Sequence, residues 1–186
     1  MENIKLRTIL RPEWSADGLR NLCVVIKQLY GEEITIVEVG SFIGESSVIF
    51  AQEFPKGKIY CIDPWLPGYD EKDGASDFDY DEVEKEFDYR IKDFPNIIKI
   101  KGKSLDFKIE CDIVYIDGCH KYECVKEDIL HWTPFTKKAV CGHDFQPKET
   151  DSISPHTAGI RIAVEEIFTN PDSVFRDGSW IKQINN

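Results

Sequence analysis

Five short runs rich in Ile, Val and other strand-forming residues recur along the chain, each with a glycine or an acid at or near its end. They are "ITIVEVG" (34–40), "KIYCID" (58–63), "NIIKIKG" (96–102), "CDIVYID" (111–117) and "KAVCGHDF" (138–145). Runs of this length and composition, bounded by turn residues, read as β-strands. The stretches between them have helical spacing. In residues 11–30, Leu19, Leu22, Val25, Ile26 and Leu29 mark one face before Gly31 stops the pattern, and residues 45–54, 81–94, 122–132 and 158–168 also read as helices. Strands alternating with helices imply right-handed crossovers and a parallel sheet covered on both faces. The near-continuous apolar strands fit that burial. "SVFRDGSWIKQI" (173–184) closes the chain as a hairpin, with Asp177-Gly178 as its expected two-residue turn. The expected fold is therefore α/β, a Rossmann-like three-layer sandwich. Its sheet is seven-stranded and mostly parallel, with a C-terminal antiparallel hairpin. The expectation is one domain over residues 1–186, with residues 1–31 as a helical segment packed on it.

Such sheets bind ligands outside the carboxyl ends of their strands. That rule selects residues 38–44, 63–65, 102–104, 117–120 and 143–145. In "EVGSFIGESS", Gly40 and Gly44 allow a tight turn into a helix whose first N–H groups are unpaired. The spacing is G-x-x-x-G, and bulky Phe42 stands where a dinucleotide site needs its second glycine. Glu45 at the helix start would also oppose a phosphate. The loop suits a ligand without phosphates there, which argues against NAD and a hydride-transferring enzyme. Asp63 follows about 20 residues after the glycine loop, where an acid can hold both hydroxyls of a ribose. Glycine loop and acid together point to an adenosine-bearing cofactor.

"EVGSFIGESS" with Asp63 resembles the first glycine motif and the following acidic motif of class I S-adenosylmethionine-dependent methyltransferases. "VYIDGCHKYECVKEDILHW", "GHDF" and "GIRIAVEEIF" extend the likeness to a small subfamily related to macrolide-sugar O-methyltransferases, over residues 34–180. The resemblance implies methyl transfer from S-adenosylmethionine to a small-molecule hydroxyl. It places Glu38 near the cofactor's amino group, Gly40 and Gly44 along its methionine portion, and Asp63 at the ribose. Ser41, Phe42, Ser46 and Pro64 are further expected cofactor-binding residues, and Trp65 is expected against the substrate or the cofactor. Lys103 and Ser104 would lie near the adenine, with Lys103 replacing the acid that relatives carry there.

Asp117, His120, His143 and Asp144 remain. In this fold class the strands ending in Asp117 and in His143-Asp144 are neighbours, and adjacent strands lie about 4.8 Å apart. Asp117 and Asp144 can then reach one divalent ion such as Mg²⁺. Metal-dependent O-methyltransferases, by resemblance, carry an acid and an acid-amide pair at these places. Here His143-Asp144 replaces the pair, and a histidine shifts the preference toward a transition metal. The expected ion ligands are Asp117, His143 and Asp144. Asp117 also borders the cofactor and His120 is the expected base, because an imidazole accepts a proton near neutral pH. Two blander readings stand beside these: Asp117-Gly118 as a simple turn, and His120 as a residue that caps the following helix. His156 is a weaker candidate for substrate contact. Tyr122 and Cys119 read as packing residues, and His131 as a surface one.

A formal net charge of −11 disfavours a nucleic-acid partner. No apolar run approaches the length of a membrane span, and the N-terminus has no signal-peptide pattern. The six cysteines form no CxxC pair and sit in or beside apolar runs, as expected of reduced thiols in the cytoplasm. Cys119, His120 and Cys124 match no usual zinc spacing. "YDEKDGASDFDYDE" fails as a calcium loop, since Lys72 falls where an oxygen ligand is needed. It reads as a solvated loop, with the whole of 64–80 too polar for the core. The acceptor is not encoded in any one motif, a homodimer stays open, and a non-catalytic module that keeps a cofactor pocket is the remaining alternative.

Overall fold

The computed structural model describes residues 12–146 and 157–184. His156 and most of the loop expected over residues 146–157 lie outside them, as do residues 1–11. The elements run α1 (Glu13–Tyr30), β1 (Thr35–Val39), α2 (Glu45–Glu53), β2 (Lys58–Asp63), α3 (Tyr80–Ile91), β3 (Ile97–Lys101), β4 (Cys111–Ile116), α4 (Tyr122–Trp132), β5 (Thr136–Gly142), α5 (Ala158–Phe168), β6 (Ser173–Val174) and β7 (Trp180–Gln183). The seven strands are ordered β3-β2-β1-β4-β5-β7-β6. β1 to β5 pair in parallel, while β7 runs antiparallel to both β5 and β6.

Alternate residues of each strand feed two cores. Ile36, Ile59, Cys61, Ile113, Tyr115 and Cys141 pack under α1, α2 and α3, against residues such as Leu19, Ile26, Phe50 and Phe87. Val37, Ile62, Val114, Ile116 and Val140 face the other way, onto Val125, Ile129 and Trp132 of α4 and Ile160 and Val164 of α5. This period-two division gives the three-layer sandwich that the sequence predicts. The chain order reverses between β1 and β4, so their carboxyl ends open a crevice.

Two local expectations need correction. The C-terminal turn is not a two-residue one. Val174 pairs with Trp180, and Phe175 N–H donates to the Ser179 carbonyl, leaving Arg176, Asp177 and Gly178 as a three-residue loop. Gly178 takes φ 85° at its end, the position that favours glycine in such loops. Residues 64–80 are also not a solvated excursion. Asp70 and Ser76 are buried, and Ser76 Oγ donates to the carbonyls of Asp70 (2.6 Å) and Asp73 (2.8 Å), folding the segment back on itself. Internal hydrogen bonds satisfy its polar residues, while Trp65, Tyr69, Phe78 and Tyr80 anchor the segment to the core.

Candidate active site

At the exits of β1 and β2 the backbone dominates. Gly40 has φ 86°, and a Cβ there would lie 2.3 Å from the Asp117 carbonyl and 2.5 Å from the Gly118 Cα. Only glycine lets the first turn pass this close to the end of β4. Gly44, at φ 82°, starts α2. Phe42 and Trp65 both hold φ 45°, an uncommon conformation for such residues. Asp63 fixes both: Phe42 N–H donates to its Oδ2 (2.9 Å) and Trp65 N–H to its Oδ1 (2.6 Å), while the Trp65 indole N–H donates to the Phe42 carbonyl (2.9 Å). Burial pushes the Asp63 carboxyl up from its usual range, against these N–H donors. Glu38 is fully buried, and its Oε2 accepts from Ser41 Oγ (2.7 Å) and from Ser47 Oγ. Its Oε1 has no hydrogen-bond partner among the described residues.

These residues line one side of a cavity of 320 Å³. It runs from Gly40, Phe42 and Asp117 past Asp63 and Pro64 to Lys103, Ser104, Leu105 and the α4 residues Cys124, Glu127 and Asp128. A smaller pocket of 150 Å³ continues from Gly40 and Asp117 toward Ser41, Ser46, Asp73 and His120. The structure therefore gathers Gly40, Ser41, Phe42, Ser46, Asp63, Pro64, Ser104, Asp117 and His120 along one crevice. It does not bring Trp65 there: the indole is 2% exposed and packs on Phe87, with ring centroids 4.8 Å apart. Glu38 and Gly44 also stand behind the lining, one tying the glycine turn together and the other starting the helix.

The exits of β4 and β5 are built differently, from ionisable side chains. His120 Nε2 lies 3.4 Å from Asp144 Oδ2 and 3.9 Å from Asp117 Oδ1, and its Nδ1 lies 3.8 Å from Asp73 Oδ2. Asp117, His120 and Asp144 offer ligand atoms all within 4.8 Å of one another, the one such group among the described residues. His120 thus completes this group in place of the expected His143. The His143 ring turns between three acids instead: Nδ1 is 3.2 Å from Asp144 Oδ1 and 3.7 Å from Asp117 Oδ1, and Nε2 is 3.6 Å from Asp177 Oδ2. Burial works against a charged imidazole at both histidines. At His120 the acids Asp117, Asp144 and Asp73 outweigh it and raise the pKa above the ordinary value. At His143, Asp117, Asp144 and Asp177 raise it to about 10. Cys119, His120 and Cys124 form no such ligand group. Tyr122 donates to Glu166 on α5, in keeping with a packing role. His131 is partly buried, with Nε2 2.7 Å from the Phe107 carbonyl, rather than a free surface residue.

Sequence reasoning missed Asp73, Asp128 and Asp177. Asp177 was hidden inside a strong turn signal. Its buried carboxylate accepts from Ser179 N–H (3.1 Å) and Ser179 Oγ (2.8 Å) and fills space left by Gly18, where a Cβ would lie 2.3 Å from it. Asp128 accepts from Ser104 Oγ, and burial pushes its carboxyl up to about 6. The approach of Asp177 to His143 and that of Asp128 to Ser104 have no local sequence pattern.

A family model described as a methyltransferase domain matches residues 37–145, a span that holds the glycine turn and the ends of β1, β2, β4 and β5. The chain belongs to this methyltransferase family. No curated protein sequence matches the methyltransferase. Solved structures do, at low identity. A candidate caffeoyl-CoA O-methyltransferase from Staphylococcus aureus superposes with a TM-score of 0.61 at 14% identity, covering 90% of this chain and 82% of that one. A candidate O-methyltransferase from Klebsiella pneumoniae gives 0.58 at 15%, covering 96% and 83%. CalO1, a methyltransferase in calicheamicin biosynthesis solved with S-adenosylhomocysteine bound, gives 0.57 at 14%, covering 91% and 53%. At these identities the likeness establishes a shared fold, and the sheet described above is that class I methyltransferase fold.

Proposed function

We propose that this methyltransferase moves the methyl group of S-adenosylmethionine to a hydroxyl of a small-molecule acceptor, with a divalent ion assisting. The observation that carries the reading is the meeting of His120 with Asp117 and Asp144 at the second pocket, which Asp117 and His120 line. The cofactor fits the residues present. Its ribose belongs at Asp63, whose oxygens each accept one backbone N–H and retain further lone pairs. Glu38, behind the lining, accepts from Ser41 and Ser47 and so shapes the glycine turn along which the methionine portion would lie. The sulfonium supplies the activated methyl group. The chain's task is then to align the acceptor oxygen with it and to take the hydroxyl proton.

His120 is the proposed base. Its three acidic neighbours favour the imidazolium, which has no lone pair to accept a proton. Asp117 and Asp144 would hold a divalent ion beside His120, with carboxylate donors that suit Mg²⁺ or Mn²⁺. Such an ion lowers the pKa of a hydroxyl beside it. Its charge would also offset Asp117 and Asp144, favouring the neutral imidazole that the base requires. Small polar acceptors suit the second pocket, which includes Ser41, Ser46, Asp73 and His120.

The test is S-adenosylhomocysteine release with a panel of hydroxylated small molecules, after chelation and after adding back Mg²⁺ or Mn²⁺. Turnover restored by one of the ions and lost in His120→Ala and Asp144→Ala is expected. Wild-type turnover in both variants would overturn the mechanism. Calorimetric titration with NAD and S-adenosylhomocysteine separates this reading from a hydride-transferring one.

A further inference from the structure

The proposed cofactor has a direction in the cavity. Its ribose lies at Asp63 and its methyl group must face His120, so its base extends the other way, toward the exit of β3. Lys103, Ser104, Glu127 and Asp128 are the polar residues lining that end. Leu66 and Leu105, both substantially exposed, stand at its edge, beside Ile62. Adenine offers its surroundings an amine donor. A lysine has only donors and cannot accept from that amine. Ser104 already gives its hydroxyl hydrogen to Asp128. Lys103 and Glu127 are exposed, whereas Asp128 is 7% exposed and lines the cavity. Ser104 engages its Oδ1 only, and Oδ2 has no hydrogen-bond partner among the described residues.

We propose that Asp128 reads the amine edge of the cofactor's base: its Oδ2 accepts from the exocyclic amine of adenine, with Ser104 orienting the carboxylate. The recognising acid thus comes from α4 rather than from the β3 exit, where Lys103 stands. A buried carboxylate with a hydroxyl on one oxygen is short of donors; burial raises its pKa, with Ser104 and His131 working the other way. The amine of adenine supplies the missing donor. The inference rests on the reading of S-adenosylmethionine as the cofactor.

Calorimetry with S-adenosylhomocysteine and with S-inosylhomocysteine, in which an oxo group replaces the amine, tests it. The wild type should bind the adenosine compound at least about 10-fold more tightly, the loss expected when a buried charged acceptor faces an oxygen. Asp128→Asn should lose most of that preference, because its amide can turn a donor to the oxo group. Glu127→Gln should keep it. Equal binding of both compounds by the wild type overturns the inference and needs no variant to fold. An unchanged preference in a folded Asp128→Asn protein, checked by its melting temperature, does the same. If the wild type binds neither compound, the cofactor reading itself fails and this inference goes with it.

Discussion

The two halves of the crevice solve opposite problems. At the exits of β1 and β2, Asp63 accepts two backbone N–H groups at 2.6 and 2.9 Å and fixes Phe42 and Trp65 in left-handed conformations. At the exits of β4 and β5, His120 and His143 face Asp73, Asp117, Asp144 and Asp177 at 3.2 to 3.9 Å. Most of those separations exceed a hydrogen bond. The first half is a closed network of short bonds that shapes the chain. The second is a cluster of ionisable side chains gathered within a few ångströms of one another, an arrangement suited to an ion or a transferred proton. Changes in the first half should therefore reach stability and cofactor binding, and changes in the second should reach turnover.

The largest expected effect tests that division. His120→Ala should lower kcat by about 10²–10⁴-fold, the range for a lost general base, while affinity for S-adenosylhomocysteine changes by no more than about 3-fold. Asp63→Asn should show the converse pattern. One backbone N–H would then face an amide N–H, costing roughly 1–3 kcal/mol in chemical denaturation and weakening cofactor binding. If both variants lost affinity and stability to the same degree, the crevice would be one unit rather than two.

Gly40→Ala comes next. It combines φ 86° with a Cβ placed 2.3 Å from a backbone carbonyl, so β1 and β4 have to part to admit it. A loss of roughly 3 kcal/mol in denaturant unfolding is expected, together with loss of cofactor binding.

Legibility follows the same line. The glycine turn, Asp63 and the strand ends carry their information locally, through spacing, glycine and an acid at a fixed offset, and the sequence places all of them. The alternation of strands and helices likewise predicts the sheet. The charge cluster was only half legible. Asp117, His120 and Asp144 stand at predictable strand ends, but the third acid that faces His143, Asp177, comes from the C-terminal hairpin and packs where Gly18 of α1 leaves space. Asp128 depends on Ser104, 24 residues away. Such contacts are fixed by tertiary packing and leave no periodic trace.

Asp177 offers a smaller effect with a definite sign. Asp117, Asp144 and Asp177 raise the His143 pKa to about 10, against burial, from an ordinary 6.5. A group whose folded pKa is raised stabilises fully below its unfolded value, and that contribution is lost as pH rises through its folded value. Wild-type stability should therefore fall between about pH 6.5 and pH 10 through this group. Asp177→Asn removes one of the charges holding the proton and should flatten the fall by on the order of 1–2 kcal/mol, read as the difference between the two unfolding-versus-pH curves. Parallel curves would remove His143 from the electrostatic account.

The smallest effect is the sharpest probe of what a glycine at the crevice is for. Gly40 and Gly118 face each other across the β1–β4 junction, yet the constraint between them is one-sided. A Cβ on Gly40 would strike the chain around Gly118, whereas a Cβ on Gly118 would meet nothing closer than 3.6 Å, the Val39 Cγ1, an ordinary contact. Gly118 is also absent from the positions with positive φ. Gly118→Ala should therefore unfold within about 0.5 kcal/mol of the wild type, or slightly above it because alanine restricts the unfolded chain. Since Gly118 lines both pockets, the added methyl group should act on ligands instead, lowering affinity for S-adenosylhomocysteine at unchanged melting temperature. A large loss of stability would show that the Asp117-Gly118 turn belongs with the backbone-built half of the crevice.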